Sequence, residues 1–274
     1  MTLFCQNLKF LFLVVLLCFI SPKVFAVEYY ELEVYGYQTA NLHELEIENT
    51  SSVSSDDRET FTNRIFRSSM EFNYGISDRW ELSTYLDYTK PVDDHAEYTA
   101  FRAHARTYFA EKDQLPVDLG LYFEVELPRN YRAKDVGLEI KPILEKDFSR
   151  WTIRLNPAVE FSHVAVPVGD NSKVVDPDGD VISSQTQDLS SDKVWIAEWG
   201  LSSSISYNFS EYFRPHLDWH LGFTDQSSLI MPSVDLKLAK DIKASIGAGF
   251  GLTPTTENRI VMARLEFESF LEGR

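Results

Sequence analysis

Three titratable side chains stand at two-residue steps in His216-Leu217-Asp218-Trp219-His220. Alternate residues of an extended segment share a face, so these three project together with Arg214. Neighbours in such a row lie ~6.6 Å apart, so one metal ion could bridge two of them, while the outer pair, at ~13 Å, cannot share an ion. The plainer reading is a hydrogen-bonded polar row. Asp176-Pro177-Asp178-Gly179-Asp180 offers carboxylates to calcium between Val174-Val175 and Val181-Ile182. It lacks a full ligand loop and the distal Glu, so a solvated turn explains it more simply. Asp93-Asp94-His95 combines acids with a histidine, as a hydrolytic site would, but again a solvated loop suffices. No nucleophile motif, phosphate-cradling loop or cysteine–histidine spacing is present. The sequence therefore assigns no catalytic residue, no metal ligand and no cofactor.

The charged residues say more as a set. Arg102, His104, Arg106, Arg154, Arg214, His216, His220 and Arg264 fall on the polar faces of alternating segments. With them fall Glu71, Glu81, Asp87, Glu124, Glu126, Glu139, Glu160, Glu198, Asp218, Glu266 and Glu268. Charges facing a narrow interior must be paired or hydrated. They either form a salt-bridge network that fills the interior or wall a water-filled path that selects solutes. Gly247, Gly249 and Gly251 line one face of a late segment, leaving room for a permeant or for long side chains from across.

The elements that carry these residues follow a single pattern, clearest in Arg64 to Tyr88. Phe66, Met70, Phe72 and Tyr74 alternate with Arg67, Ser69, Glu71 and Asn73. A turn at Gly75–Arg79 follows, and then Leu82, Thr84, Leu86 and Tyr88 alternate with Glu81, Ser83, Tyr85 and Asp87. This is a hairpin with one apolar and one charged face. Tyr30–Ala40 reads as the first strand, with Leu32 and Val34 opposing Glu31, Glu33, Tyr35 and Tyr37, and a polar stretch runs on to Asp57. Further strands centre on 101–109, 117–127, 136–144, 153–161, 195–207, 214–223, 234–238, 244–252 and 260–270, with a long insertion from His163 to Lys193. The total is about twelve strands of roughly ten residues, joined alternately by tight turns and longer loops.

Residues 1–26 read as a secretory signal peptide, with Lys9 before the apolar run Phe10–Ile20 and a small residue at Ala26. Both cysteines, Cys5 and Cys18, leave with it, so no disulfide framework holds the mature chain. Removing Lys9 and Lys23 leaves 24 basic against 42 acidic residues, a formal charge of −18 that argues against nucleic acid as partner. After Ile20 no run approaches the ~18 apolar residues of a membrane helix. Residues 27–274 are ample for one all-β domain.

Alternation alone does not say which face meets lipid, because a soluble barrel alternates too. Four features favour lipid outside. Bulky charges sit on the polar face of nearly every strand. Export occurs without cysteine, and short turns are confined to one end. Aromatics crowd both strand ends: Tyr74, Trp80, Phe148, Trp151, Phe209 and Phe213 by the turns, Tyr88, Phe101, Phe161, Trp195 and Phe223 toward the loops. Such girdles belong to membrane interfaces. The expected fold is all-β, a single closed antiparallel transmembrane β-barrel of about 12 strands in the bacterial outer membrane, with both termini periplasmic.

The stretches YGISDRWELSTYLDY, LPVDLGLYFEVELPR and ILEKDFSRWTIRLNPAVEF resemble bacterial outer-membrane barrels of the transporter type, and are similar to the family associated with phenol-degradation pathways. The resemblance implies a twelve-strand barrel that passes small compounds. Such barrels end on an aromatic read by the assembly machinery, whereas Leu271-Glu272-Gly273-Arg274 follow Phe270 here. Three functions are consistent with these residues: a channel or transporter for a small solute, gated by the His163–Lys193 insertion; a plugged structural or surface-binding barrel; and a rim hydrolase using His95 or His220. A lipid-facing phospholipase would need a Ser–His pair on the outer wall, where only His163 falls. The expected partners are outer-membrane lipid, a small solute and, during biogenesis, the barrel-assembly machinery.

Overall fold

The period-two pattern closes the chain on itself. The computed structural model describes residues 34–55, 64–90, 95–129, 136–166, 174–175, 181–183, 192–256 and 259–270. Residues 1–26, Asp93, Asp94, the acidic cluster 176–180 and residues 271–274 lie outside the described residues. The strands are β1 Glu44–Ser55, β2 Arg64–Gly75, β3 Trp80–Lys90, β4 Glu97–Tyr108, β5 Asp118–Pro128, β6 Gly137–Phe148, β7 Trp151–Val166, β8 Val174–Val175, β9 Val181–Ser183, β10 Asp192–Tyr207, β11 Phe213–Gly222, β12 Ser228–Ala239, β13 Ile242–Gly251 and β14 Arg259–Phe270. All except the β8–β9 pair join one closed antiparallel barrel, in which β7 pairs β10 and β14 returns to β1. Closure matters physically, because an open edge would leave backbone groups unpaired in hydrocarbon.

The wall is greasy outside and polar inside. Phe72, Leu82, Phe123, Leu155, Trp199, Leu217, Phe250 and Leu265 are exposed on the outer surface, while Glu71, Glu81, Asp87, Arg102 and Glu124 are buried within. Trp80, Phe148, Trp151, Phe209 and Phe213 stand out from the short-turn end, and Tyr88, Trp195 and Phe223 from the long-loop end. Tyr74, Phe101 and Phe161 are half-buried. Part of the expected insertion is strand: β7 and β10 pair out to Val166 and Asp192. β12 begins at Ser228, six residues before the expected start, and β6 runs on to Phe148, confining the turn to Ser149 and Arg150.

The first strand is not where its pattern put it. The wall begins with Glu44–Ser55, and Val34–Ala40 lies inside the barrel, with Tyr35, Tyr37 and Ala40 buried. β1 was obscured because Asn49 and Ser51, two of its outward residues, are polar. Tyr30–Ala40 alternates convincingly with Tyr35 and Tyr37 on its polar face, and these two are buried in the lumen, but on a segment lodged inside the wall and not on a strand of it. A tight reversal joins the two parts. Asn41 bonds the Glu44 carboxylate through its backbone N–H (2.8 Å) and its amide (2.6 Å), His43 takes φ 65°, and the His43 N–H donates to the Gly75 carbonyl at 2.9 Å. A Cβ on Gly75 would sit 1.8 Å from the Asn41 carbonyl oxygen. Only glycine lets the entering chain cross the end of β2 this closely.

Candidate functional site: the barrel lumen

The lodged segment is held on the β3–β7 wall by aromatic and cationic side chains. Tyr35 stacks on Tyr122 at 4.8 Å between centroids, and its hydroxyl lies 2.6 Å from that of Tyr85. Arg106 and Lys141 stand over the Tyr35 ring at 5.4 and 5.2 Å, a cation–π arrangement. His104 packs against Tyr122 and Tyr85. Backbone groups of the segment are also satisfied by the wall, as a buried peptide requires. The Ala40 N–H donates to the Glu81 carboxylate at 2.5 Å, and the Asn156 amide donates to the Tyr35 carbonyl at 3.2 Å. Tyr37 packs edge-on against Tyr108. Burial, with the nearby Asp118 and Glu145 carboxylates, pushes its hydroxyl from 10.0 up to about 12.

The expected charges turn inward, and cross-strand register brings them together. Arg102 is clamped between Asp87 (2.7 Å) and Glu124 (3.6 Å) and lies 4.2 Å over the Tyr85 ring. Glu81 takes Arg106 at 2.9 Å and His104 at 3.6 Å, and His104 also approaches Glu71 at 4.0 Å. Arg154 bonds Glu145 at 2.7 Å, and Arg264 stands 3.5 Å from Glu48. Glu124, Glu139, Glu160 and Glu198 are direct cross-strand neighbours along β5, β6, β7 and β10. Lys141 bonds Glu139 at 3.0 Å. Glu126 stands opposite Gly137, whose missing side chain leaves room for Glu126 and Glu160.

The His216–Asp218–His220 row is a set of hydrogen bonds. His216 bonds Asp218 through Nδ1 at 3.1 Å and faces Asp235 through Nε2 at 3.3 Å, so its two nitrogens point at different carboxylates. His220 pairs with Ser202 of β10, directly opposite, at 2.9 Å. His95 bonds Glu97 at 3.1 Å beside the long-loop end. One carboxylate trio, Glu46, Glu266 and Glu268, has oxygens within 4.8 Å of one another. The Lys243 ammonium bonds both Glu266 and Glu268, supplying the positive charge there itself. The glycine row is filled by its neighbours: a Cβ on Gly247 would meet Ser233 and Met231, and one on Gly249 would meet Leu229 and Ile260. Those apolar side chains pack with Met262 into a small buried cluster inside the wall.

Several of these residues escaped the sequence reading. Tyr35 and Tyr37 were placed on a wall strand. Asp235 was placed on a strand assigned from Val234 on, without its inward partners. Lys141 fell inside the expected strand 136–144 without being singled out, and Glu145 and Lys243 fell just outside the expected strand limits, although each sits on the inward register of its strand.

The lodged segment does not fill the barrel. A cavity of about 470 Å³ lies between it and the opposite wall, lined by Thr50, Ser204, Ser206, Ser233, Ser245 and the Arg214, Asp235, Lys243 and Glu266 side chains, among others. A second cavity of about 600 Å³ opens at the short-turn end beneath Asn208–Glu211. The two share Arg214, Asp235, Lys243, Ser245, Arg264 and Glu266 in their walls. Acids outnumber bases along the first, the cavity beside the lodged segment.

No family model matches the chain. No curated protein matches it either. Solved structures do. An outer membrane channel from Pseudomonas putida F1 is 10% identical and superposes with a TM-score of 0.55, covering 89% of this chain and 100% of that one. The NanC porin is 10% identical with a TM-score of 0.51, covering 83% of this chain and 100% of its own. At such identity the likeness is one of fold, and it agrees with the wall described above: this chain has the closed twelve-strand fold of an outer-membrane β-barrel, similar to that of channels and porins.

Proposed function

We propose that the chain is an outer-membrane channel that passes small solutes through the crescent between the lodged segment and the β10–β14 side of the barrel. One observation carries this reading. The polar cavity beside the segment and the cavity at the short-turn end share six lining residues, forming adjoining compartments along one side of the lumen. The short turns face the periplasm in this reading, as in other barrels of the class. An N-terminal signal delivers the chain there, the outer wall meets lipid, and the barrel-assembly machinery is a partner in biogenesis. The acid excess of the lining makes small cations the preferred solutes, since charged walls select by sign.

The alternative is a plugged barrel without transport, and the Tyr35–Tyr122–Tyr85 anchoring speaks for it. Planar bilayers separate the two. The purified chain should give discrete conductance steps, with a reversal potential displaced toward the cation value under a salt gradient. Silence across salt and voltage would leave the plugged reading.

A further inference from the structure

The cavity at the short-turn end differs in charge from the rest of this acidic protein. Arg150, Arg214, Lys237, Lys243 and Arg264 line it against Glu211, Asp235 and Glu266. Three of the cations already have carboxylates: Arg214 holds Asp235, Lys243 holds Glu266 and Glu268, and Arg264 approaches Glu48. The Arg150 and Lys237 side chains make no hydrogen bond or ion pair with any described residue. Moreover, Lys237 stands directly across from Lys243 in the β12–β13 register. Like charges placed opposite each other in a sheet repel, and an anion between strands relieves that cost.

We infer that this vestibule binds an anionic group, a phosphate or carboxylate. Arg150 and Lys237 supply the charge-assisted hydrogen bonds. In the barrel order the β6–β7 turn that carries Arg150 and the strand β12 that carries Lys237 flank the Asn208–Glu211 turn, and both residues line the cavity there. Such a group can belong to a periplasmic-leaflet lipid or to a free small molecule. The inference uses the orientation proposed above only to say where the ligand comes from. It makes no use of solute passage, so a binding failure and a conductance failure are separate results.

The test is calorimetric titration of the purified full chain in phosphatidylcholine nanodiscs with phenyl phosphate, and with phenyltrimethylammonium as the opposite-charge control. Phenyl phosphate should bind at least tenfold more tightly than the cation. Arg150→Ala/Lys237→Ala should weaken it at least tenfold, and Arg150→Lys/Lys237→Arg should restore it. Retained heat-modifiable mobility on gels shows that each variant keeps its barrel. Repeating the titration in phosphatidylglycerol nanodiscs identifies the source. Competition seen in the wild type and lost in the double alanine variant points to a lipid headgroup, and unchanged binding points to a free anion. Equal affinity in wild type and double alanine variant, or no preference for the anion, would overturn the inference.

Discussion

The Tyr35 hydroxyl lies 2.6 Å from the Tyr85 hydroxyl, tying a residue inside the lumen to the third wall strand. The same ring stacks on Tyr122 and carries Arg106 and Lys141 over its faces. Tyr35→Phe should therefore cost about 1 kcal/mol for the lost hydrogen bond. Tyr35→Ala, which also removes the buried ring, should cost about 3–5 kcal/mol. Urea-induced unfolding of the chain reconstituted in lipid vesicles measures both. Equal effects would place the stabilisation in the hydroxyl alone. Loss of the ring should also raise single-channel conductance, because the segment then samples positions off the wall.

Gly75 is the second point on which the lodged segment depends. Any side chain there collides with backbone, not with a movable side-chain tip, since the nearest atoms are the Asn41 carbonyl and the Ala40 oxygen. Gly75→Ala should push residues 34–41 out of place while the β2–β3 pairing persists. Limited proteolysis should then cut within 34–43, which the wild-type barrel protects, and an unchanged digestion pattern would contradict this close approach.

Ionising Tyr37 should loosen the segment at high pH. Its hydroxyl titrates near 12 when folded, against 10.0 for a free tyrosine, because burial and the Asp118 and Glu145 carboxylates disfavour the phenolate. A folded value above the unfolded one means that the contribution is complete below about pH 10 and is lost as pH rises through about 12. The difference in 295 nm absorbance between wild type and Tyr37→Phe should show a midpoint near 12. A midpoint near 10 would mean that the ring is solvated.

Arg102 is the central cation of a buried trio. Arg102→Ala leaves Asp87 and Glu124 without their shared partner, a loss of about 3–5 kcal/mol when a buried pair is broken from one side. Adding Asp87→Asn should recover part of it, because the uncompensated charge is then gone. Denaturant midpoints of the two single variants and the double variant give the coupling directly. Strict additivity would mean that water screens the trio.

Much of the wall was legible because a period of two needs no long-range information. Gly75–Arg79 announced its hairpin, and Phe72, Leu82 and Leu86 named their face before any pairing was known. What fills the wall was not legible. Tyr35 and Tyr37 alternate with Gly36 and Gln38 as they would in a strand, and nothing local distinguishes the inward face of a wall strand from a segment lodged within the wall. β1 shows the converse, because Asn49 and Ser51 dilute an outer face that Ile47 and Val53 only partly define. Side-chain partners depend on register between strands. Arg214 with Asp235 follows from a direct cross-strand pair, visible only once β12 starts at Ser228.

Residues 27–274 hold no cysteine, so thiols introduced there into a chain of that span report without background, and they test the proposed path most directly. Thr50→Cys and Ser233→Cys place a thiol on the cavity beside the lodged segment, whereas Ser83→Cys places one on a buried wall position outside its lining. A charged methanethiosulfonate reagent added during bilayer recording should step down the conductance of the first two variants and leave the third unchanged. Equal block at all three, or none at Thr50 and Ser233, would contradict a path running beside the segment.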